Sequence, residues 1–508
     1  MPCFVILQDF ANIFKAFIGT NYLTISFALK ESGLLLGLVG IAFILFATAH
    51  CCYLIVKCKK EVVRRIVTNP NSLTGYVSSR LLSISESELE RTITYGDVAR
   101  AVLGRLGSIL TNIGLFVTQF GFCVGYFIFI ADTLESTIDS FSNSTKNSSS
   151  AFVDGDHHVA TEKILKVHTH ETWWQYFTMN LIHKPGGDDH VIPYQLLLLI
   201  PFPFFLLFAM IKRIRDMGLI SSLANLAVLI GFISITVVIL EDFEISSDVT
   251  WYANLTSFPI FFGQVTSAYE GIGTIIPIET SMEGNRSLYP LLLHLALLLF
   301  TAIYCFMGIL GYLKYGNNVE QVLIWSLPKS TWVALFTNAT ICIGVLLTYP
   351  LQNFVAVEIV ETTIWGSSIY ESNESTEVTI QETREPLLNS GVPQENGFHD
   401  EVVARQPARK VSFWKRVIVR ASLVIIQLSL ALFLKQSYAY FSALVGAVGS
   451  TLLAYILPCL IHLRLKGSSL HPMILIKDLF LIIFGIVGMV TGLYCSILNI
   501  ISNIHNNQ

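Results

Sequence analysis

Long stretches of this chain carry no Asp, Glu, Lys or Arg, and no other feature constrains its fold as tightly. They include 33–56, 106–130, 217–240, 330–357, 436–463 and 479–508. A bilayer core about 30 Å thick is crossed by about 20 apolar residues of helix, and each stretch is long enough. Lipid offers the backbone no hydrogen-bond partner, so a spanning segment is a helix or part of a closed barrel. Barrel strands alternate polar and apolar residues, whereas these runs are continuously apolar. The chain therefore reads as an all-α, polytopic membrane protein. Composition agrees: 13% of its 508 residues are charged, against about 25% in an ordinary soluble domain.

About eleven spans are expected, near 10–29, 33–56, 106–131, 191–211, 217–240, 257–278, 288–313, 331–357, 417–434, 436–463 and 474–500, as one transmembrane domain over 1–508. Lys and Arg in short flanks set orientation. Lys57, Lys59, Lys60, Arg64 and Arg65 follow the second span, and Lys212, Arg213 and Arg215 the fourth. Lys410, Lys415 and Arg416 precede the ninth, and Arg464 and Lys466 follow the tenth. All face the cytoplasm if the N-terminus does, which leaves the C-terminus extracellular or lumenal. The plasma membrane and the lysosomal membrane both fit. The start lacks a basic segment and a cleavage site, so the first span must itself direct insertion.

Residues 132–190 then form an extracellular or lumenal loop, with the sequons Asn143-Ser-Thr and Asn147-Ser-Ser as glycosylation candidates. None of the nine cysteines lies in that loop, so no external disulfide framework is expected. Residues 366–410 are polar and poor in aromatics, the composition of a disordered cytoplasmic loop. Glu385-Pro386-Leu387-Leu388 within it resembles an acidic dileucine sorting signal, and a chance Leu pair explains it as well.

A protein that moves a solute needs breaks in its apolar pattern, because unwound helix exposes backbone N–H and C=O groups at mid-membrane depth. Two breaks stand out: Ile18-Gly19-Thr20-Asn21 in span one and Ala268-Tyr269-Glu270-Gly271-Ile272-Gly273 in span six. They lie five spans apart, where a five-plus-five inverted repeat places corresponding segments. Glycine in a membrane helix is often a packing residue. Glu270 shifts the balance, since an ionisable group inside a span is costly and marks function. It is also the candidate coupling residue; the alternative is that it caps free helix ends.

Other polar residues carry blander readings. His50 and His294 are taken as structural. Glu279 and Glu358 are expected at cytoplasmic ends, where solvation is cheap. Pro201, Pro203, Pro350 and Pro458 are expected to bend helices. No metal cluster, nucleophile elbow, phosphate loop or carboxylate pair appears, so neither an enzyme nor a bound cofactor is expected. No basic patch suggests nucleic acid.

The chain resembles the proton-coupled amino acid transporters (solute carrier family 36) of the amino acid/auxin permease group. The likeness runs through Phe14-Lys15-Ala16-Phe17-Ile18-Gly19-Thr20, Val56-Lys57-Cys58, Tyr95-Gly96-Asp97, Thr118-Gln119-Phe120-Gly121-Phe122-Cys123 and Glu270-Gly271-Ile272-Gly273. It continues through Gly311-Tyr312-Leu313-Lys314-Tyr315-Gly316, Tyr349-Pro350-Leu351-Gln352 and Leu444-Val445-Gly446-Ala447. The resemblance implies an APC/LeuT-type fold: ten spans in an inverted repeat plus one further helix. It implies small neutral amino acids as substrates and the proton as coupling ion. The substrate carboxylate would meet N–H groups of Thr20, Asn21 and Tyr22, and its ammonium the carbonyls near Phe17 and Ala268, with Ile18, Gly19 and Gly271 lining the site and Tyr269 closing it. Three positions depart from the family pattern. Asn21 stands where the family has Gly, Ser26 where it has Pro, and Asn12, which does not titrate, where many members have His. A sensor that binds amino acids without net transport is the competing reading.

Overall fold

The structure, a computed structural model, describes residues 2–17, 19–69, 86–150, 193–211, 218–252, 255–282, 285–327, 332–365, 411–435, 437–467 and 470–506. Among them there is no strand. Eight helices are long and apolar enough to cross a membrane: Leu34–Thr68, Arg105–Ile138, Ile220–Leu240, Arg286–Asn318, Trp332–Trp365, Phe413–Phe433, Tyr438–Lys466 and Pro472–Asn503. They coincide with eight of the expected spans. The other three expected spans are each built from two short helices.

In chain order, α1 (Pro2–Phe17) and α2 (Ile25–Ser32) flank a 3-10 turn at Thr20–Leu23. Then come α3 (Leu34–Thr68), α4 (Glu86–Thr92), α5 (Tyr95–Leu103) and α6 (Arg105–Ser150). Next, α7 (Tyr194–Leu199) and α8 (Phe202–Ala209) are divided at Pro201, which has no N–H to continue the ladder. α9 (Gly218–Leu240) leads to α10 (Phe258–Ala268) and α11 (Ile272–Ser281), the second broken pair that matters below. α12 (Tyr289–Tyr315), α13 (Trp332–Trp365), α14 (Phe413–Phe433) and α15 (Tyr438–Val445) follow. Two π-helical turns at Gly446–Ser450 and Leu452–Ile456 join α15 to α16 (Leu457–Lys466), and α17 (Pro472–Asn506) ends the fold.

Several boundaries differ from expectation. α6 runs on to Ser150, past the loop start expected at 132, and carries Asn143 and Asn147 on helix. Pro350 lies inside an uninterrupted α13, while Pro458 opens α16. Residues 151–192 and the whole expected loop 366–410 lie outside the described residues, and so does Ile18. The Tyr95-Gly96-Asp97 motif has a local cause. Thr94 and Asp97 form a reciprocal capping box that satisfies two N–H groups at the start of α5.

The outer surface is what a bilayer requires. α9 exposes Leu223, Leu226, Leu229, Ile233 and Val237, and α17 exposes Ile476, Phe480, Ile483, Val487 and Tyr494. Soluble proteins rarely leave such continuous apolar faces open. The opposite stripe of α17 holds Asp478, Leu481, Ser496 and Ile500, all buried. Gly485, Gly488 and Gly492 continue that stripe. An added Cβ there would fall 2.9 Å from Ile456, 2.3 Å from Phe262 and 2.6 Å from Ala447. Small residues thus bring α17 against the helices it covers, the usual device for contact in lipid. Another close crossing ties α10 to the first π turn, where a Cβ on Gly446 would overlap the Gly263 carbonyl.

Candidate functional site

The two broken segments meet. At the first, α1 stops at Phe17, Gly19 is extended (φ −150°, ψ −163°), and a 3-10 turn begins at Thr20. The N–H groups of Thr20 and Asn21 lie at the open end of that turn, where helix geometry supplies no partner. At the second, α10 ends at Ala268 and α11 resumes at Ile272, so Tyr269, Glu270 and Gly271 are non-helical. The Asn21 amide Nδ2 donates to the Ser267 carbonyl at 3.2 Å, directly linking one break to the other. A Cβ on Gly271 would come within 2.7 Å of the Phe17 ring and 2.9 Å of the Ala16 carbonyl oxygen, so only glycine permits this approach. A Cβ on Gly19 would meet nothing within 4 Å, so open space lies beside it. Positive helix ends and free carbonyls around open space suit a zwitterion.

The remaining proposed site residues divide by role. Phe17 and Ala268 are buried at the helix ends facing the breaks. Thr20 is buried and engages the Tyr438 hydroxyl. The Tyr22 hydroxyl reaches the Val228 carbonyl on α9 at 3.3 Å, and its ring meets Phe232 edge-on. The Tyr269 ring packs on Phe300 and Tyr304, with its hydroxyl 2.6 Å from Thr301 Oγ1. Both phenols anchor their breaks to neighbouring helices. Ser26 donates to the Met307 carbonyl at 3.2 Å and seats against Gly311 of α12, a contact that a proline ring would lack. Asn12 is exposed on α1. Glu270 is partly exposed, yet its Oε1 is sealed from solvent with no hydrogen-bond partner among the described residues. Such an oxygen in an apolar surround is costly unless a proton or a ligand answers it.

Buried ion pairs, which the sequence reading did not single out, lie elsewhere among the helices. Glu279 was expected to be solvated at a helix end; instead its side chain is 1% exposed. It accepts from Lys59, also 1% exposed, at 2.8 Å, and Lys60 stands 3.2 Å from its other oxygen. Lys59 also donates to Thr280, and Arg286 joins the Thr280 carbonyl to the Glu90 carboxylate. The pair was findable. Lys59 continues the buried stripe Cys52, Ile55, Val62 and Ile66, and Glu279 the stripe Ile272, Ile275 and Ile276. A second pair joins Arg420 to Glu361, and a third joins His462 to Asp478 at 2.6 Å. His50 faces that third pair with its Nε2 buried and without a partner among the described residues, so it is not the satisfied structural histidine expected. No group of His, Cys, Asp and Glu among the described residues could hold a metal ion.

The sequence profile of a family described as "Transmembrane amino acid transporter protein" matches residues 5–74, 71–154 and 166–498. The chain is similar to Vacuolar amino acid transporter 4 of Saccharomyces cerevisiae, 26% identical over 514 residues that cover 97% of this chain and 58% of the relative. It thus spans little more than half of that protein. Amino acid transporter ANT1 of Arabidopsis thaliana is 23% identical over 496 residues, covering 97% of this chain and 92% of the relative. Amino acid transporter AVT3B of the same plant is 24% identical over 497 residues, covering 97% and 93%.

Proposed function

The chain belongs to the family of transmembrane amino acid transporter proteins, and from that membership we propose that it carries small neutral amino acids by alternating access around its two broken helices. Counting each of the three paired segments as one crossing, with the eight long helices, makes eleven. The first ten would form the inverted repeat and α17 the extra helix. The observation that carries the reading is the junction of the breaks: the Asn21–Ser267 bond beside the open space at Gly19. There a substrate carboxylate would reach the N–H groups of Thr20 and Asn21, and its ammonium the carbonyls near Phe17 and Ala268. The test is uptake by reconstituted protein across a panel of labelled amino acids, with and without an imposed pH gradient. Saturable uptake with counterflow is expected; binding without counterflow would make the protein a sensor.

The proton is the proposed driving ion and Glu270 its carrier, because the unanswered Oε1 lies at the second break. Uptake should rise when the substrate side is acidified. Glu270→Gln should keep exchange of labelled for unlabelled substrate but lose that acid stimulation. A full pH response in the variant would assign Glu270 to capping the break.

The yeast relative's name places that protein at the vacuole, which favours an acidic internal compartment here over the plasma membrane. In the proposed orientation the N-terminus is cytoplasmic and Asn143 and Asn147 are lumenal. Glycosidase should then sharpen and shift the wild-type band but not that of an Asn143→Gln/Asn147→Gln variant. A glycan on Asn373 would invert the orientation.

A further inference from the structure

Three aromatic rings gather over the first break, at the end of the bundle where α15 begins. The hydroxyl of Tyr438, the first residue of α15, hydrogen-bonds the Thr20 side chain. Its ring meets Phe129 of α6 edge-on, with centroids 5.6 Å apart, and Trp325 at 6.4 Å. Phe129 and Trp325 are themselves 6.3 Å apart, so the three rings close on one another. Trp325 belongs to a 3-10 turn, Leu323–Ser326, in the connection between α12 and α13. Its Nε1 donates to Thr133 of α6 at 3.0 Å. In the same connection the Gln321 side chain accepts from the Ala439 N–H at 2.9 Å. The connection therefore holds both α6 and the start of α15. Gly125 lets the Tyr438 ring lie close on α6, where an added Cβ would stand 3.4 Å from it. Burial gives the order of the layers: Thr20 and Tyr438 are buried, and Trp325 beyond them is partly exposed.

We propose that Tyr438, backed by Phe129 and Trp325, closes the lumenal route to the substrate space, and that α15 must carry its ring off Thr20 before substrate enters from that side. This rests on the transport reading and on the orientation given above, which puts the start of α15 at the lumen. Thr20 adjoins the open space at Gly19 and offers its N–H to the substrate carboxylate in that reading. A ring fixed to Thr20 thus stands between that space and the partly exposed Trp325. Gly19, Asn21 and Glu270 are partly exposed while Thr20 and Tyr438 are buried, which fits a space that opens away from the rings. α15 is also suited to move. Its far end runs into two successive π-helical turns, a form that recurs at functional sites. That end is pinned where Gly446 crosses Gly263, so a swing about the crossing displaces Tyr438 most. One neutral hydrogen bond biases a two-state equilibrium by roughly fivefold, enough to favour closure without locking it.

The test uses Ser442→Cys, a nearly isosteric change, as reporter. Ser442 lies one turn deeper on α15 and is 8% exposed. Its hydroxyl is 3.4 Å from that of Ser267, whose carbonyl receives Asn21. Full-length protein is reconstituted in proteoliposomes of one orientation, and a membrane-impermeant methanethiosulfonate is added on the lumenal side. Wild type gives the background. Labelling of Ser442→Cys alone should be slow. Adding Tyr438→Phe, which removes only the bond to Thr20, should speed it roughly fivefold. Adding Tyr438→Ala, which removes the ring as well, should speed it more than about tenfold. Phe433→Ala, at the same end of the bundle and 66% exposed, should leave the rate unchanged. The gate is overturned if neither Tyr438 variant speeds labelling, or if Phe433→Ala speeds it as much. Uptake of labelled amino acids is read on the same vesicles. Saturable wild-type uptake with labelling indifferent to Tyr438 overturns the gate and leaves transport standing. Labelling that accelerates while wild type shows no uptake keeps the closure at Tyr438 and overturns transport.

Discussion

Glu279→Ala should destabilise the folded protein by about 3–5 kcal/mol, the usual effect of stranding one member of a buried ion pair. Lys59 would keep its charge in a site 1% exposed, with its nearest carboxylate gone. Thr280 would remain as an acceptor, but a hydroxyl cannot neutralise an ammonium. Lys59→Met should cost less, because Lys60 already stands 3.2 Å from Glu279 and is 48% exposed, free to move closer. The double variant Lys59→Met/Glu279→Leu should recover most of the loss. Buried pairs replaced together by apolar residues of similar size are often neutral or better. Heating the solubilised protein and measuring the monodisperse fraction decides this. If the double variant is as unstable as Glu279→Ala, the two sites are not acting as a pair and the clamp between α3 and α11 is misjudged.

Gly19→Leu should leave the protein folded and reduce uptake by about a hundredfold or more. The fold should survive for two reasons. Gly19 has extended backbone angles that any residue adopts, and a Cβ there meets nothing within 4 Å. Transport should not survive, because the branched side chain would occupy the space beside the N–H groups of Thr20 and Asn21. Losing two hydrogen bonds to a substrate carboxylate, each worth about 1.5–3 kcal/mol, gives that factor. Gly271→Leu makes the contrast. Its Cβ would collide with Phe17 and Ala16, so that variant should fail in expression as well as uptake. Normal uptake by a well-expressed Gly19→Leu variant would move the substrate away from the first break.

Much of this was legible from residues alone, for a reason particular to membranes. Where lipid excludes water, a charge-free run leaves the backbone only one local solution. Eight long helices therefore fall where the runs predict them. The breaks were legible because Gly19 with Asn21, and Glu270 with Gly271, set a flexible residue beside a polar one inside spans that lie five apart. Three-dimensional contact decided the rest. Nothing local says that Asn21 reaches Ser267, 246 positions away, or that Gly271 must be glycine because Phe17 lies against it. The Glu279 error has the same origin. A carboxylate near the end of a hydrophobic run is normally solvated. Whether it is depends on what covers that end, and here α3 brings Lys59 down on it. Asp478 shows the limit most clearly. By sequence it is a charge at the edge of the last apolar run, yet α17 turns it inward to His462 while Lys477, one residue earlier, stays 37% exposed. Which segments cross the bilayer, and where they break, followed from hydrophobicity and backbone hydrogen bonding, both local quantities. Which polar groups pair in the interior was settled by helix packing, because a buried charge takes its partner from whatever helix the fold brings beside it.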